Sequence, residues 1–189
     1  MDIKSAFKGL LIDLNEIQNE ISFDYVIIGG LAVGIWGYIR ATKDIDILSD
    51  LKNELLNDFK DILQKKGYEI DIRRGDVFDP IPLLVRITIP EDRGGPAVAD
   101  MLIVTRNWER QILKNKIQIK YEGLTVNLIS VEDLILLKLK SGSPIDQVDA
   151  KEVFLINKDE IDIEELKNRA RQMKIDRSLE RFLKELSNN

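Results

Sequence analysis

Apolar residues recur near the start of the chain at alternating spacings of four and three: Ile3, Phe7, Leu10, Leu14, Ile17 and Ile21. This period places them on one face and predicts an amphipathic opening helix. The pattern then shortens. Residues 25–28 are a β-branched run that ends on Gly29-Gly30, which reads as a buried strand and its turn, and residues 31–40 read as a short helix. Residues 44–48 alternate acid and aliphatic side chains, as a strand with one special face would. Ser49 or Asp50 stands where a cap belongs for a third helix reaching about Lys66 and closed by Gly67.

Three further runs, 68–73, 83–89 and 98–104, read as a sheet meander whose connections hold Gly75, Pro80, Pro82, Pro90 and Gly94-Gly95-Pro96. Residues 107–114 read as a helix, and 116–121 with 124–129 as a hairpin around Glu122-Gly123. Ser130-Val-Glu-Asp133 opens a helix with a capping-box-like pattern through about Lys140. From Pro144 onward the pattern is helical in three segments. The expectation is a mixed α/β body over 1–129, with a helical portion over 130–189 packed on it as one structural unit.

A length of 189 residues fits one ordinary domain or a compact domain with a small helical appendage, and 44% hydrophobic residues suffice for a sizeable core. Composition excludes more through its gaps. With no cysteine and no histidine, the chain can form no disulfide, Cys/His zinc site, cysteine nucleophile, Ser-His-Asp triad or histidine base. Chemistry must run on carboxylates, Lys, Arg and hydroxyls, and a metal must accept oxygen ligands, as Mg²⁺, Mn²⁺ or Ca²⁺ do. No stretch approaches the ~18 apolar residues of a membrane span, and Asp13 and Glu16 interrupt what would be a signal peptide's apolar core. A cytoplasmic protein is the expectation. The net charge of −5 opposes non-specific coating of nucleic acid but leaves room for a local basic patch.

Three features can carry chemistry. Gly29-Gly30 lies between a strand and a helix, where glycine lets a phosphate approach free N–H groups; a plain tight turn is the bland reading. Leu31 breaks the G-x-G-x-x-G spacing, and no Gly-Lys-Ser/Thr follows to make a P-loop. The second feature is Asp44-x-Asp46. With 19 aspartates in 189 residues, one such pair is no more than chance supplies, so its context has to speak. On a strand both carboxylates share a face, and two neighbouring acids on a half-buried strand cost stability unless cations neutralise them; a solvated edge strand is the alternative. The third is Asp100, one charge inside an apolar run of seven. Either backbone donors or an arginine satisfy it, or its strand lies beside 44–48 and the three acids form a cluster suited to divalent metals about 3.5–4 Å apart.

Taken in order, the glycine turn, helix, Asp-x-Asp strand and later lone Asp resemble the polymerase-β-like nucleotidyltransferase superfamily. They are most similar to its small prokaryotic minimal and AbiEii-type members. The resemblance spans roughly residues 25–156. It rests on Gly29-Gly30-Leu-Ala32, Arg40-x-Thr42-Lys43-Asp44-Ile-Asp46-Ile, Ala99-Asp100, the run from Val131 through Lys138 to Gly142, and Asp146-x-x-Asp149. The chain departs by having Gly30 where many members have serine, and by having Ser143-Pro-Ile145 where basic residues usually precede Asp146.

The resemblance implies a nucleotidyltransferase fold of class α/β (α+β), a mixed sheet flanked by helices. It implies transfer of a nucleoside monophosphate from an NTP to an acceptor hydroxyl with release of pyrophosphate. Asp44, Asp46 and Asp100 are then the catalytic and metal residues, holding Mg²⁺ or Mn²⁺, with Asp100 placed to help deprotonate the acceptor. Gly29, Gly30, Arg40, Thr42, Lys43, Lys138 and Asp146 form the nucleotide site, Lys138 or Arg40 offsetting phosphate charge; a salt-bridged helix face is an equal reading of Lys138 and Asp146. A tRNA or other RNA is the first expectation for the acceptor, ahead of a protein or a small molecule. The only dense basic track for an RNA is Lys167, Arg169, Arg171, Lys174, Arg177, Arg181 and Lys184, and a solvated helical face balanced by Asp159, Glu160, Asp162, Glu164 and Glu165 is the first reading of these residues, ahead of an RNA cradle. A non-catalytic binding or regulatory protein of the same fold is the competing expectation.

Overall fold

The computed structural model describes residues 3–76 and 81–187. Its first helix, α1 (Ile3–Ile17), buries Phe7, Leu10, Leu14 and Ile17, the residues picked out by the four-three spacing. Ile21 lies past the helix end in a bend. Strand β1 (Tyr25–Ile28) is buried along its whole length. Helix α2 (Gly29–Ile35) begins on the glycine pair itself, so it starts and ends earlier than the pattern suggested, and the stretch from 38 to 43 is irregular. Strand β2 (Asp44–Ser49) follows.

The third helix, α3 (Leu56–Lys65), is preceded by a 3-10 turn at Asn53–Leu55 and takes no cap from Ser49 or Asp50. Both side chains are used elsewhere. Ser49 Oγ donates to the Asp24 carbonyl (2.8 Å), and Asp50 Oδ1 accepts from the Asp24 N–H (2.6 Å). The two would-be caps instead clasp the start of β1 to the end of β2. Then come β3 (Glu69–Arg74), β4 (Leu83–Ile89), β5 (Ala97–Ile103) and α4 (Asn107–Lys114). Pro80, expected in the β3–β4 connection, lies outside the described residues. A hairpin of β6 (Ile117–Tyr121) and β7 (Leu124–Leu128) turns on Glu122 and Gly123, both with positive φ. The chain ends in α5 (Val131–Ser141), α6 (Pro144–Asn157), α7 (Ile163–Gln172) and α8 (Asp176–Ser187).

Seven strands form one sheet in the order β3-β4-β5-β2-β1-β7-β6. β2–β5 and β1–β7 are parallel, and the other neighbours are antiparallel, so the α/β body carries the expected mixed sheet. Along β4 and β5 burial alternates residue by residue. Val85, Ile87, Ala99 and Met101 join Ile45 and Ile47 of β2 in one cluster with α1 and α3, while Arg86, Asp100 and Asp46 stand on the less covered face. Period-2 alternation therefore sets the whole chemistry on one side of the central strands.

Helix α5 is the hub of the helical half, touching α2, α6, α7 and α8. Its N-terminus is capped by Ser130, which accepts from the Asp133 N–H (3.3 Å). Arg169 of α7 then reaches in: Nη1 donates to Ser130 Oγ (2.9 Å) and Asp133 Oδ2 (3.0 Å), and Nε to Glu165 (2.8 Å). Arg169 is 14% exposed and Asp133 3%, so this pair is a packing device. Among the described residues no helix is long and apolar enough to cross a membrane. Taking away one partner of such a pair strands a charge in the interior. Arg169→Ala is therefore expected to cost about 3 kcal/mol of stability, by the removed-partner magnitude for buried pairs, read as a lower urea midpoint at unchanged slope. A midpoint equal to wild type would mean that α7 docks without it.

Candidate active site

The glycine turn is shaped by what surrounds it. Gly29 has φ +67°, and a Cβ there would sit 2.0 Å from Asp46 Oδ2 and 2.7 Å from Asp46 Cγ. A side chain at Gly30 would meet Thr42 Oγ1 at 2.7 Å and Arg40 Nη2 at 3.3 Å. Glycine is thus required at position 29, by its backbone angle and by the Asp46 carboxylate, while a Cβ at Gly30 would press only on side-chain atoms of Thr42 and Arg40. The Gly30 backbone N–H lies near enough to Asp46 to favour its charged form. The structure therefore brings Gly29, Gly30, Arg40, Thr42 and Asp46 to one place, with Lys43 exposed beside them.

Strand pairing assembles the acids. Asp46 of β2 is in register with Asp100 of β5, and Asp44 lies two residues before Asp46 on the same strand face. Asp44 is exposed and Asp46 half-buried. Burial pushes the Asp46 carboxyl above the ordinary carboxylate range, the charges of Asp100 and Asp44 push further, and Lys138 and the Gly30 N–H pull partly back. Asp100 carries a partner from β4: Arg86 Nε donates to Oδ1 (2.8 Å) and Nη2 to Oδ2 (2.7 Å). Both alternatives for Asp100 are thus present together, an arginine on its carboxylate and an acid pair in register. Hydrogen bonds to Asp100, helped by the charges of Asp100, Asp44 and Asp71, hold Arg86 more firmly protonated than a free guanidinium.

Among the described residues no three acidic side chains close into a metal-holding group. The donors nevertheless fit a hard divalent cation in kind, being all carboxylate oxygens, and their mutual repulsion at Asp46 is what a cation would relieve. In the arrangement shown, Arg86 supplies positive charge to that cluster.

The later motif folds back onto the glycine turn. Lys138 is 10% exposed and bonds Asp146 Oδ1 (2.7 Å) and Asp149 Oδ2 (2.8 Å). Arg40 grips the same Asp149 through Nε and Nη2, both at 2.7 Å. Asp149 is 0% exposed. Burial pushes its carboxyl up, but the hydrogen bonds from Arg40 and Lys138 outweigh it and hold the group below the ordinary range. Asp146 behaves alike: burial is overcome by Lys138, Ser141 and Ser143. The run before Asp146 thus supplies hydroxyls, since Ser141 Oγ and Ser143 Oγ both donate to Oδ2 at 2.6 Å.

Two residues of the site escaped assignment from sequence. Asp149 was legible only as the end of a motif; nothing in its spacing said that it would bridge Arg40 and Lys138. Arg86 had a signal, being the lone charge in an apolar strand, as Asp100 is in the neighbouring one. Of the basic track expected for an RNA, Arg169 is drawn inward by its ion pairs at 14% exposure, while Lys167, paired with Glu164 (2.8 Å), and Arg171, which donates to Asn168, stay at the surface. Arg177, Arg181, Lys174 and Lys184 are exposed. A concavity between α5, α6 and α8, lined by Leu139, Val148, Arg181 and Phe182, contains none of the acids.

The chain matches, over residues 5–186, the model of the family described as "Nucleotidyltransferase of unknown function (DUF6036)", and it belongs to that family. No curated protein matches the sequence. Among solved structures, the lincosamide antibiotic adenylyltransferase LnuA, lincomycin-bound, is 18% identical with a TM-score of 0.51, covering 79% of this chain and 96% of its own. The antibiotic-resistance factor ANT(2″)-Ia is 15% identical with a TM-score of 0.58 over 100% of this chain and 99% of its own. A nucleotidyltransferase structure from Thermotoga maritima, TM1012, is 15% identical with a TM-score of 0.55, covering 82% and 95%. At these identities the likeness is one of fold, and it agrees with the expected polymerase-β-like nucleotidyltransferase fold.

Asp149→Asn tests how the two halves of the site are joined. A carboxylate whose native value is depressed contributes stability above its unfolded value of about 3.9 and loses it as pH falls through the native value. The variant is expected to lose about 2–3 kcal/mol near neutral pH, where one charged partner is removed from buried pairs. The gap to wild type should close on acidification below about pH 4, followed by urea midpoints across pH. A gap constant with pH would show that the carboxylate's charge is not what matters.

Proposed function

We propose that this member of a nucleotidyltransferase family moves a nucleoside monophosphate from an NTP to an acceptor hydroxyl and releases pyrophosphate. One observation carries the reading: the β2–β5 register sets Asp46 beside Asp100 at the glycine turn, where Lys138 and Arg40 also converge. The Gly29-Gly30 turn, with Thr42 and Lys43 beside it, would seat the triphosphate. Arg40 and Lys138 would offset its charge, kept in place by Asp149 and Asp146.

Asp44, Asp46 and Asp100 are the residues that would hold Mg²⁺ or Mn²⁺. Bound there, a divalent cation would draw charge from the phosphate oxygens and the departing pyrophosphate. The acceptor oxygen forms the new bond to the α-phosphorus as the bond to the β-phosphate oxygen breaks, and pyrophosphate leaves with that electron pair. With no histidine in the chain, Asp100 would take the acceptor's proton.

For the acceptor, the case for tRNA is weakened by the loss of the track's inner arginine to packing. A hydroxyl on a small molecule is the acceptor favoured here; the fold neighbour LnuA is itself named an antibiotic adenylyltransferase. A non-catalytic nucleotide-binding protein is the competing reading, and the Arg86 grip on Asp100 is the observation in its favour.

NTP with Mg²⁺ is expected to raise the melting temperature, by mass action on the folded state. The gain should vanish with EDTA and in Asp46→Asn. Without metal, Asp44→Asn and Asp46→Asn should melt at or above wild type, since each removes like-charge repulsion. Incubation of lysate fractions with NTPs labelled at the α-phosphate then reads the acceptor. Label in the small-molecule fraction supports the proposal, and label lost to RNase favours RNA. A thermal gain indifferent to metal, with no transfer, would replace the enzyme by a nucleotide-binding regulator.

A further inference from the structure

Across four adjacent strands the register lines up Asp71 of β3, Arg86 of β4, Asp100 of β5 and Asp46 of β2. The sequence of charges is acid, base, acid, acid. Arg86 spends its whole fork on Asp100, one nitrogen to each carboxylate oxygen. Each oxygen keeps a second lone pair, so what sets the arginine against a cation is charge: a guanidinium and a divalent ion on one carboxylate repel each other. Yet one or the other is required, since without a positive charge Asp44, Asp46 and Asp100 face one another uncompensated. Lys138 offsets this only in part, being held by Asp146 and Asp149.

We infer that Arg86 is a built-in counter-ion for Asp100, which a divalent cation entering the site displaces, and that Asp71 is the arginine's second seat. The inference rests on the proposed cation site. Arg86 is 36% exposed, so its guanidinium can swing without unpacking the core. Directly opposite residues on neighbouring strands lie within reach of a long side chain on either side. Asp71 faces Arg86 from the far side and is itself exposed, with Arg73 as its present partner at 2.7 Å. The guanidinium keeps its charge at any working pH, so what moves it is competition and not titration. Asp100 is then a quenched acid in the resting protein and a free ligand and base only when the cation has arrived.

Mn²⁺ alone, without nucleotide, is the probe. Its binding to the full chain is read from the free-Mn²⁺ electron paramagnetic resonance signal in wild type, Arg86→Gln, Arg86→Lys, Asp71→Asn, Asp46→Asn and the Arg86→Gln/Asp71→Asn double variant. Arg86→Gln is expected to bind Mn²⁺ about three- to fivefold more tightly than wild type, the scale of one partly exposed ion pair. Arg86→Lys, which cannot fork, should lie between them, and it carries the test if the glutamine variant fails to fold. Asp71→Asn should weaken binding, and the double variant should match Arg86→Gln, because an empty seat matters only when the arginine is there to take it. Melting without Mn²⁺ should be lower in Arg86→Gln than in wild type, with a larger gain on adding Mn²⁺.

Equal or weaker Mn²⁺ binding in Arg86→Gln and Arg86→Lys, with wild-type binding lost in Asp46→Asn, would overturn the inference and leave the cation site standing. If wild type and both Arg86 variants bind no Mn²⁺, the cation site itself falls and the inference with it.

Discussion

Two carboxylates in register on neighbouring parallel strands repel each other, and most of what surrounds Asp46 and Asp100 answers that repulsion. The Gly30 backbone N–H and the charge of Lys138 from α5 favour the ionised Asp46, and Arg86 closes on Asp100 from β4. Gly29 has no side chain because Asp46 occupies the space. An apolar pair at these positions would have made a more stable sheet without any of these devices. Retaining both acids sets the constraint, and the glycine turn, the lysine and the two arginines follow from it.

The helical half is part of that answer. Arg40 sits in the irregular stretch before β2, where nothing in the local backbone would fix a long side chain. Asp149, wholly buried on α6, fixes it, and holds Lys138 of α5 through Oδ2, the oxygen that also takes Arg40 Nη2. Asn157 Nδ2, near the end of the same helix, donates to the Trp36 carbonyl (3.0 Å), and Trp36 Nε1 donates to the Ile129 carbonyl (3.0 Å). The loop from α2 to β2 is therefore clamped at both ends by residues a hundred positions away in sequence. Arg169 in turn holds α7 against the start of α5, so the helix that carries Lys138 is braced from outside.

Where one face of an element is buried, its period was readable: the α1 stripe, the alternation of β4 and β5, the hairpin turn at Glu122-Gly123, and the Ser130 cap all stand where local pattern placed them. The same period put Asp44 and Asp46 on one face. It could not say that β5 would pair with β2, because register between strands fifty residues apart is a tertiary fact. The cap at Ser49 and Asp50 went astray for a related reason: both residues have good capping chemistry, but a competing backbone donor and acceptor at Asp24 lay nearer in space. Asp100, the single charge in its apolar strand, was legible as an anomaly; Arg86, the single charge in the next strand, was not singled out, and only adjacency makes them a pair. The basic run of α7 and α8 misled in the opposite direction, because counting charges cannot separate an exposed Arg181 from an Arg169 drawn into ion pairs with α5.

The two arginines of the site illustrate how burial divides similar chemistry into different work. Both fork onto an aspartate with nitrogen–oxygen distances of 2.7–2.8 Å. Arg40 grips a carboxylate that has no contact with water and a second cation, Lys138, on its other side. Opening that pair would strand a charge in the interior, so Arg40 is a fixed part of the floor. Arg86 grips a carboxylate at the surface of the sheet, with a second acid in register behind it. Opening that pair exposes both ions to water and offers the arginine another partner, so its cost is small. A site that must hold a polyphosphate needs positive charge that does not move, and a site whose acids must become free needs positive charge that does. The sheet register and the buried Asp149 supply one of each.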